Sequence, residues 1–269
     1  MICSLSCRSL LFIEKSDLSL CYSSKDSLCS VEQTESLNVL TFNIKKARKI
    51  ELAISEIQEF EKTKNIDVYL LQEMDEKGVE AIAKKLGLNY LYFPISYDKA
   101  DKKNIGNAIL TAGTITRPEK LILPHAKWQN KQRRAATIGE VTINQKKILV
   151  YSVHTETFAM SRKDRMDQID GIIEHARLQS SKYKYTLIGG DFNTVFAKDA
   201  QLLVEKFTGN GFDWSTDKVG STARAMFGLV KPTNDYLFSK GLQLTKAFKI
   251  EASRSSDHYP VFATYIVKS

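Results

Sequence analysis

Apolar and polar residues change rhythm repeatedly along this chain, from short unbroken runs to recurrences every three or four positions. Leu37–Ile44 (LNVLTFNI) reads as a strand, and Ile66–Gln72 (IDVYLLQ) is a mostly apolar run of the kind buried on both faces of a sheet. Between them, Ile50, Ala53, Ile54, Ile57 and Phe60 recur at helical spacing, so Lys49–Thr63 is predicted to be an amphipathic helix with a charged outer face. Glu76–Leu86 reads as a second helix and ends at Gly87, which suits a left-handed helix stop. Five short strands with Gly, Pro or Asn breaks follow, over Tyr90–Ile95, Ala108–Thr111, Thr114–Leu123, Ala135–Ile143 and Lys147–His154. Ser161–Gln179 is a long helix, with Ser161 placed to cap it and Asp164 three positions on. Tyr183–Gly189 is another buried strand, Lys198–Lys206 a helix, and Tyr236–Phe238, Ala247–Ile250 and Tyr259–Ile266 are strands. Strands dominate and some connect directly, which points to packed sheets covered by helices and away from strict strand–helix alternation in a barrel.

The first 36 residues break this pattern. They hold ten Ser, no Gly and no Pro, and their apolar stretch Leu10–Ile13 is closed by Glu14 and Lys15, too short for a secretory signal. Residues 1–36 are therefore read as a poorly ordered tail of unknown role. All four cysteines (Cys3, Cys7, Cys21 and Cys29) lie in it, at no zinc-binding spacing. The 269 residues suffice for a sizeable core, and no apolar run reaches the roughly 18 residues of a membrane-spanning helix. The net charge of +8 belongs wholly to the rest of the chain: the tail has three basic and five acidic residues, leaving 36 against 26 from Leu37 onward. Such an excess points to an anionic partner, whether nucleic acid, a phosphorylated small molecule or an anionic membrane surface.

Polar groups with chemical potential stand where the buried runs end. Asn43 closes LNVLTFN, Glu73 follows IDVYLLQ, His154 follows ILVYSV, Asp191 and Asn193 follow YTLIGG, and Asp257 and His258 precede Tyr259-Pro260-Val261. Ligand sites in α/β sheets form at such strand ends, where rigid backbone aims polar groups into one crevice. Taken singly, each cluster has an ordinary reading as a turn, a cap or a hydrogen-bonded boundary residue. Together they suit phosphoester hydrolysis. Glu73 and Asp257 offer hard oxygen ligands for Mg²⁺ or Mn²⁺, with Asn43 as a neutral neighbour. Asp191 can orient or deprotonate an attacking water, while Asn193 and His154 can donate to a non-bridging phosphate oxygen.

The strings LTFNI, LLQEMD, VHTE, GGDFNT, NDYLF and SDHYPV, in this order from about Leu37 to Val267, resemble the endonuclease/exonuclease/phosphatase superfamily with the deoxyribonuclease-I-like fold. The resemblance implies a catalytic domain over residues 37–269, built as a four-layer α/β sandwich: two mixed sheets face to face with helices outside. It implies that Glu73 is the main metal ligand, with Asn43 and Asp257 nearby, and that Asp191 and Asn193 align the nucleophile and contact the phosphate. His258 is implied to act on the phosphate, oriented by Asp235, and His154 to contact the phosphate. A carboxylate behind an imidazole fixes its orientation and favours its protonated form. In Lys131-Gln132-Arg133-Arg134, Arg134 is the expected phosphate-binding residue, with a solvated strand entrance as the plain alternative.

Departures from the family's branches bear on substrate. Gln72-Glu73-Met74-Asp75 lacks the Lys of the Gln-Glu-Thr-Lys string usual in abasic-site endonucleases, and no counterpart of the inositol polyphosphate phosphatases' Pro-Ala-Trp-x-Asp-Arg string is present. Phe227-Gly228-Leu229-Val230 reads as a buried strand in preference to an exposed apolar loop. Basic residues collect beside the motifs in Lys45-Lys46-x-Arg48-Lys49, at Lys99, Lys102 and Lys103, and at Lys127, Lys131, Arg133 and Arg134 around Trp128. If these loops rim the site they form a positive funnel, with Trp128 or Tyr97 able to stack on a base. The expectation is a soluble, monomeric phosphodiesterase dependent on Mg²⁺ or Mn²⁺ and acting on nucleic acid, in the cytoplasm in preference to outside the cell. The alternatives are a phosphomonoesterase or lipid phosphodiesterase of the same fold, and a non-catalytic nucleic-acid-binding or toxin-like module.

Overall fold

Successive residues of a strand point to opposite faces of its sheet, so a strand that is apolar throughout needs cover on both sides. The computed structural model, which describes residues 10–15, 19–22, 35–224 and 231–268, supplies that cover in four layers. In chain order the strands and helices are β1 (Leu10–Phe12), β2 (Leu20–Tyr22), β3 (Ser36–Asn43), α1 (Ile50–Lys64), β4 (Val68–Met74), α2 (Glu76–Leu86), β5 (Asn89–Asp98), β6 (Lys103–Thr111) and β7 (Thr114–Ile122). They continue with β8 (Ala135–Ile143), β9 (Lys146–His154), α3 (Arg162–Gln179), β10 (Tyr185–Asp191), α4 (Ala197–Gly209), β11 (Asp213–Trp214), β12 (Asp235–Lys240), β13 (Gln243–Lys249) and β14 (Val261–Ile266). One mixed sheet runs β1-β5-β6-β4-β3-β14-β13, with β2 also on β5, and the other runs β11-β12-β10-β9-β8-β7.

The pleat sorts side chains between the layers. Val39, Leu70 and Phe93 of the first sheet meet Val150, Leu187 and Leu237 of the second in a shared core. Their neighbours Leu40 and Leu71 face outward under Ile54, Ile57 and Phe60 of α1 and Val79 and Ile82 of α2. On the far side, Tyr151, Ile188 and Phe238 pack beneath Ile169 and Ile172 of α3 and Leu203 and Phe207 of α4, where the Phe207 and Phe238 rings stack at 4.0 Å. Asp75 caps α2 by accepting from Gly78 N at 2.8 Å, and Ser161 caps α3 by accepting from Asp164 N at 3.1 Å. The predicted sandwich is the observed one.

Of the first 36 residues, the described segments contribute β1 and β2, both antiparallel to β5, so the apolar Leu10-Leu11-Phe12 pairs along a sheet edge. Buried Lys120 of β7 fastens this segment: its ammonium donates to the carbonyls of Ile13, Lys15 and Pro94 and lies 5.5 Å from the Phe12 ring. Differences elsewhere are small. Strand β13 starts four residues earlier than predicted, β14 starts two later, and two-residue β11 has no periodicity to betray it. Residues Phe227 to Val230 lie outside the described residues.

Close approach of the sheets leaves no room at Gly189 in β10. A Cβ there would stand 2.5 Å from Leu237 Cδ2 and 2.7 Å from Leu70 Cδ1. Gly189→Ala is therefore expected to cost about 1–3 kcal/mol by overpacking, read as a lower urea midpoint at unchanged slope. An unshifted midpoint would mean that the Leu237 and Leu70 side chains can turn aside.

Candidate functional site

Strand direction brings the polar ends together. β3 and β4 run parallel, with Asn43 opposite Gln72, and β9 and β10 run parallel, with His154 opposite Asp191. Their antiparallel partners begin at the same end: Asp235 of β12 lies opposite Asp191, Ala135 opposite His154, and β14, just after Asp257 and His258, enters beside Thr41. All nine residues singled out in the sequence thus converge on one end of the sandwich.

Asp191 is at the centre. Gly190 before it has φ of 145°, and a Cβ there would stand 1.9 Å from the Val153 carbonyl oxygen, so only glycine lets β10 approach β9 this closely. The buried Asp191 carboxylate accepts from Asn43 Nδ2 at 2.9 Å, across the sheets, and from the Asn193 backbone N at 2.9 Å. Its Oδ2 lies 3.7 Å from His154 Nε2 and 3.7 Å from His258 Nε2. Burial pushes this carboxyl up to about 6, against the pull of the His258 charge.

The two imidazoles are in opposite states. Burial opposes the charge on His258, but the carboxylates of Asp235 and Asp191 outweigh it and hold the ring protonated up to about 10; its Nδ1 donates to Asp235 Oδ2 at 2.8 Å. Asp235 is fixed in turn by its backbone N–H, which donates to Thr222 Oγ1. Burial, with the nearby charges of Arg134 and His258, takes His154 well below the ordinary histidine range, so its ring is neutral. Arg134 Nη1 faces His154 Nδ1 at 3.5 Å, which assigns the His154 proton to Nε2, the nitrogen nearest Asp191.

Glu73 has a different origin. It sits in β4 with φ of 55°, at a bulge where the pairing with β6 jumps between Leu71 and Met74. A bulge re-aims a side chain, and a left-handed glutamate stores about 1–3 kcal/mol of strain. The side chain points into a cleft of about 240 Å³ that Lys46, Lys127, Arg134, His154 and Phe158 also line. Among the described residues the Glu73 carboxylate makes no side-chain hydrogen bond or close ion pair and feels only the charge of Arg134, while Asp257 is paired with Lys45 at 2.8 Å. The Lys45 partnership holds Asp257 ionised against burial. Asn43 Oδ1 accepts from Lys45 N at 2.9 Å. A carboxylate with no direct bond, one residue on from the strand partner of the Asn43 amide, suits a hard divalent cation, so Glu73 with Asn43 fits the expected metal. The Asp191–Asp235–His258 cluster suits one less, since an imidazolium has no lone pair to offer.

One participant was not singled out for a role in the sequence. Glu156, fully buried, accepts from Lys127 Nζ at 3.3 Å and from Arg134 Nη2 at 3.4 Å, and is held ionised down to about 2 by these cations against its burial. It fixes Arg134 where that side chain meets both His154 and the cleft. The signal was available as an acid two residues after His154, but its partners are 22 and 29 positions away. Asn193, at φ of 50°, turns its amide to the Thr155 carbonyl at 2.9 Å and so ties the loops after β9 and β10 together. Gln168 and Arg165 brace the same loop, through Glu156 N and the Met160 carbonyl.

The basic runs are less naked than their sequence implied. Lys45 pairs with Asp257, Lys46 with Asp98, Lys103 with Asp75, and Arg48 reaches Asp101 at 3.5 Å. Trp128 is exposed, whereas Tyr97 is partly covered in β5 opposite Leu11. No helix among the described residues is long and apolar enough to cross a membrane.

Solved structures share the architecture at low sequence identity. Humanized D. rerio TDP2 superposes with a TM-score of 0.65 at 15% identity, covering 86% of this chain and 99% of that one. Truncated Caenorhabditis elegans TDP2 gives 0.66 at 19% identity over 86% of this chain and 97% of that one. An endonuclease/exonuclease/phosphatase from Bacteroides vulgatus gives 0.68 at 13% identity over 87% and 99%. No curated protein matches by sequence. Residues 36–258 match the Endonuclease/Exonuclease/phosphatase family, to which this chain belongs.

Proposed function

We propose that the protein is a divalent-metal-dependent phosphodiesterase acting on nucleic acid. The observation that carries this reading is the Asp191 carboxylate, suspended by Asn43 between a neutral His154 and a protonated, Asp235-backed His258, beside a cleft holding Glu73 and Arg134. Enzymes of this family are generally metal-dependent, and a Mg²⁺ or Mn²⁺ held by Glu73 and Asn43, with Asp257 if Lys45 releases it, would polarise a phosphoryl oxygen and offset its charge. Asp191 orients a water in this reading and accepts its proton. His258 Nε2, directed by the bond from Nδ1 to Asp235, donates to the phosphate. Arg134 and the His154 Nε2–H add donors for non-bridging oxygens, and Asn193 supports this arrangement by fixing the two loops.

Nucleic acid is favoured because Lys46, Lys127 and Arg134 line the cleft, each with a carboxylate behind it: Asp98 for Lys46 and Glu156 for the other two. The ion-paired basic runs favour a second reading, a phosphomonoesterase or lipid phosphodiesterase with a small charged substrate zone. A non-catalytic binding module has no need for an imidazolium, a neutral imidazole and a glutamate with no direct bond at one strand-end crevice.

Mg²⁺ or Mn²⁺ should support cleavage of a DNA or RNA oligonucleotide and EDTA should stop it, with Glu73→Ala or His258→Ala lowering kcat by roughly 10²–10⁴-fold. Wild-type protein inert toward a full panel of phosphodiesters and phosphomonoesters would refute the enzymatic reading. Glu156→Gln, which frees Arg134, should reduce kcat/KM about tenfold, mostly through KM. Finally, oligonucleotide affinity should fall steeply as log salt rises, whereas a flat response with good phosphomonoester turnover would select the second reading.

A further inference from the structure

Two large aromatic side chains lie open to solvent beside this crevice. Phe158 is 54% exposed and Phe196 52% exposed, and their rings meet edge to face with centroids 6.4 Å apart. Phenylalanine is among the residue types most often buried, so a half-exposed pair in contact needs a reason. Their position supplies one. Phe158 lies four residues after His154 in the loop from β9 to α3, and Phe196 three residues after Asn193 in the loop from β10 to α4. These loops leave adjacent strands and are tied together by the Asn193 bond to the Thr155 carbonyl. Phe158 itself lines the cleft with Arg134, Lys127 and Glu73. The aromatic pair therefore forms a wall that starts among the phosphate-facing cations and ends in solvent.

The surrounding side chains make that wall firm. Thr157 Oγ1 accepts from Ala159 N, Gln168 accepts from Glu156 N, and Arg165 donates to the Met160 carbonyl, so the backbone on both sides of Phe158 is bonded in place. Phe196 directly precedes α4, whose first turn is held by Ala200 N donating to the Phe196 carbonyl. Such a surface offers a π-face and edge but no hydrogen-bond donor or acceptor, so it can take a flat ring without reading its identity. The cations beneath it select a ring that carries a phosphate.

We infer that Phe158 and Phe196 form a stacking subsite for an unpaired nucleobase next to the phosphate held in the cleft. This rests on the nucleic-acid reading above and extends it: the substrate strand is single-stranded or frayed at this point, because a paired base keeps its faces against its neighbours. Base–aromatic stacking tolerates every base, so the subsite confers strand form and not sequence.

The test measures binding without chemistry. Fluorescence anisotropy in EDTA would compare an oligothymidylate with an equally long strand of abasic tetrahydrofuran residues, for wild type, Phe158→Ala/Phe196→Ala and Phe158→Trp. Wild type should bind the base-bearing strand about tenfold more tightly than the abasic one, the double variant should lose that preference while binding the abasic strand as wild type does, and Phe158→Trp should keep it. Equal weakening toward both strands, or a preference that survives the double substitution, would overturn the subsite. Because the readout needs no metal and no turnover, failure of the subsite leaves the cleavage assay to stand alone, and absent cleavage leaves this comparison intact.

Discussion

A carboxylate sealed between two sheets is tolerated only when donors reach it, and at Asp191 those donors come from both sheets: the Asn43 amide from one and the Asn193 N–H from its own strand end in the other. That requirement organises the end of the molecule. Gly190 brings β10 against β9, which puts His154 beside Asp191, and the antiparallel register of β12 puts Asp235 behind His258. Below this level, Gln72 Nε2 donates to Ser152 Oγ and Asn107 Nδ2 to the Ala135 carbonyl, so further polar links join the sheets under the crevice. Farther in, the two sheets meet chiefly through apolar side chains, such as Val39, Leu70 and Phe93 against Val150, Leu187 and Leu237. The site is thus the part of the sandwich where alignment is specified bond by bond.

Much of this was legible because it depends on periodicity and on strand ends. The apolar runs identified β3, β4, β9 and β10, and the polar residue closing each run identified the crevice. What could not be read was anything set by distant partners. The bulge that turns Glu73 inward depends on how β4 registers against β6, and its sequence carries no glycine to mark a positive φ. Glu156 gains its meaning only from Lys127 and Arg134 across the loop. The basic runs misled in the same way: Lys45 and Asp257 are 212 positions apart, and no local pattern announces that they cancel.

Electrostatics at the crevice is accordingly a matter of individual atoms and not of net charge. One imidazole is kept charged by two carboxylates while another, equally far from the same Asp191 oxygen, is kept neutral by burial and an arginine. The difference between the two rings follows from which histidine has an acid behind it: His258 has Asp235, and His154 faces Arg134 instead. Glu156 serves the arginine as Asp235 serves His258: each buried acid sets the position of a cation that faces the crevice.

The pairing of β1 and β2 with β5 reaches beyond packing. β5 is ten residues long, and its outer backbone groups would otherwise present an open template for a strand from another copy. The opening segment of the chain, anchored by the Lys120 ammonium, closes that template from within the same molecule. Clipping, tagging or deleting these residues would bare the outer edge of β5 to a strand from another copy while leaving every crevice residue in place.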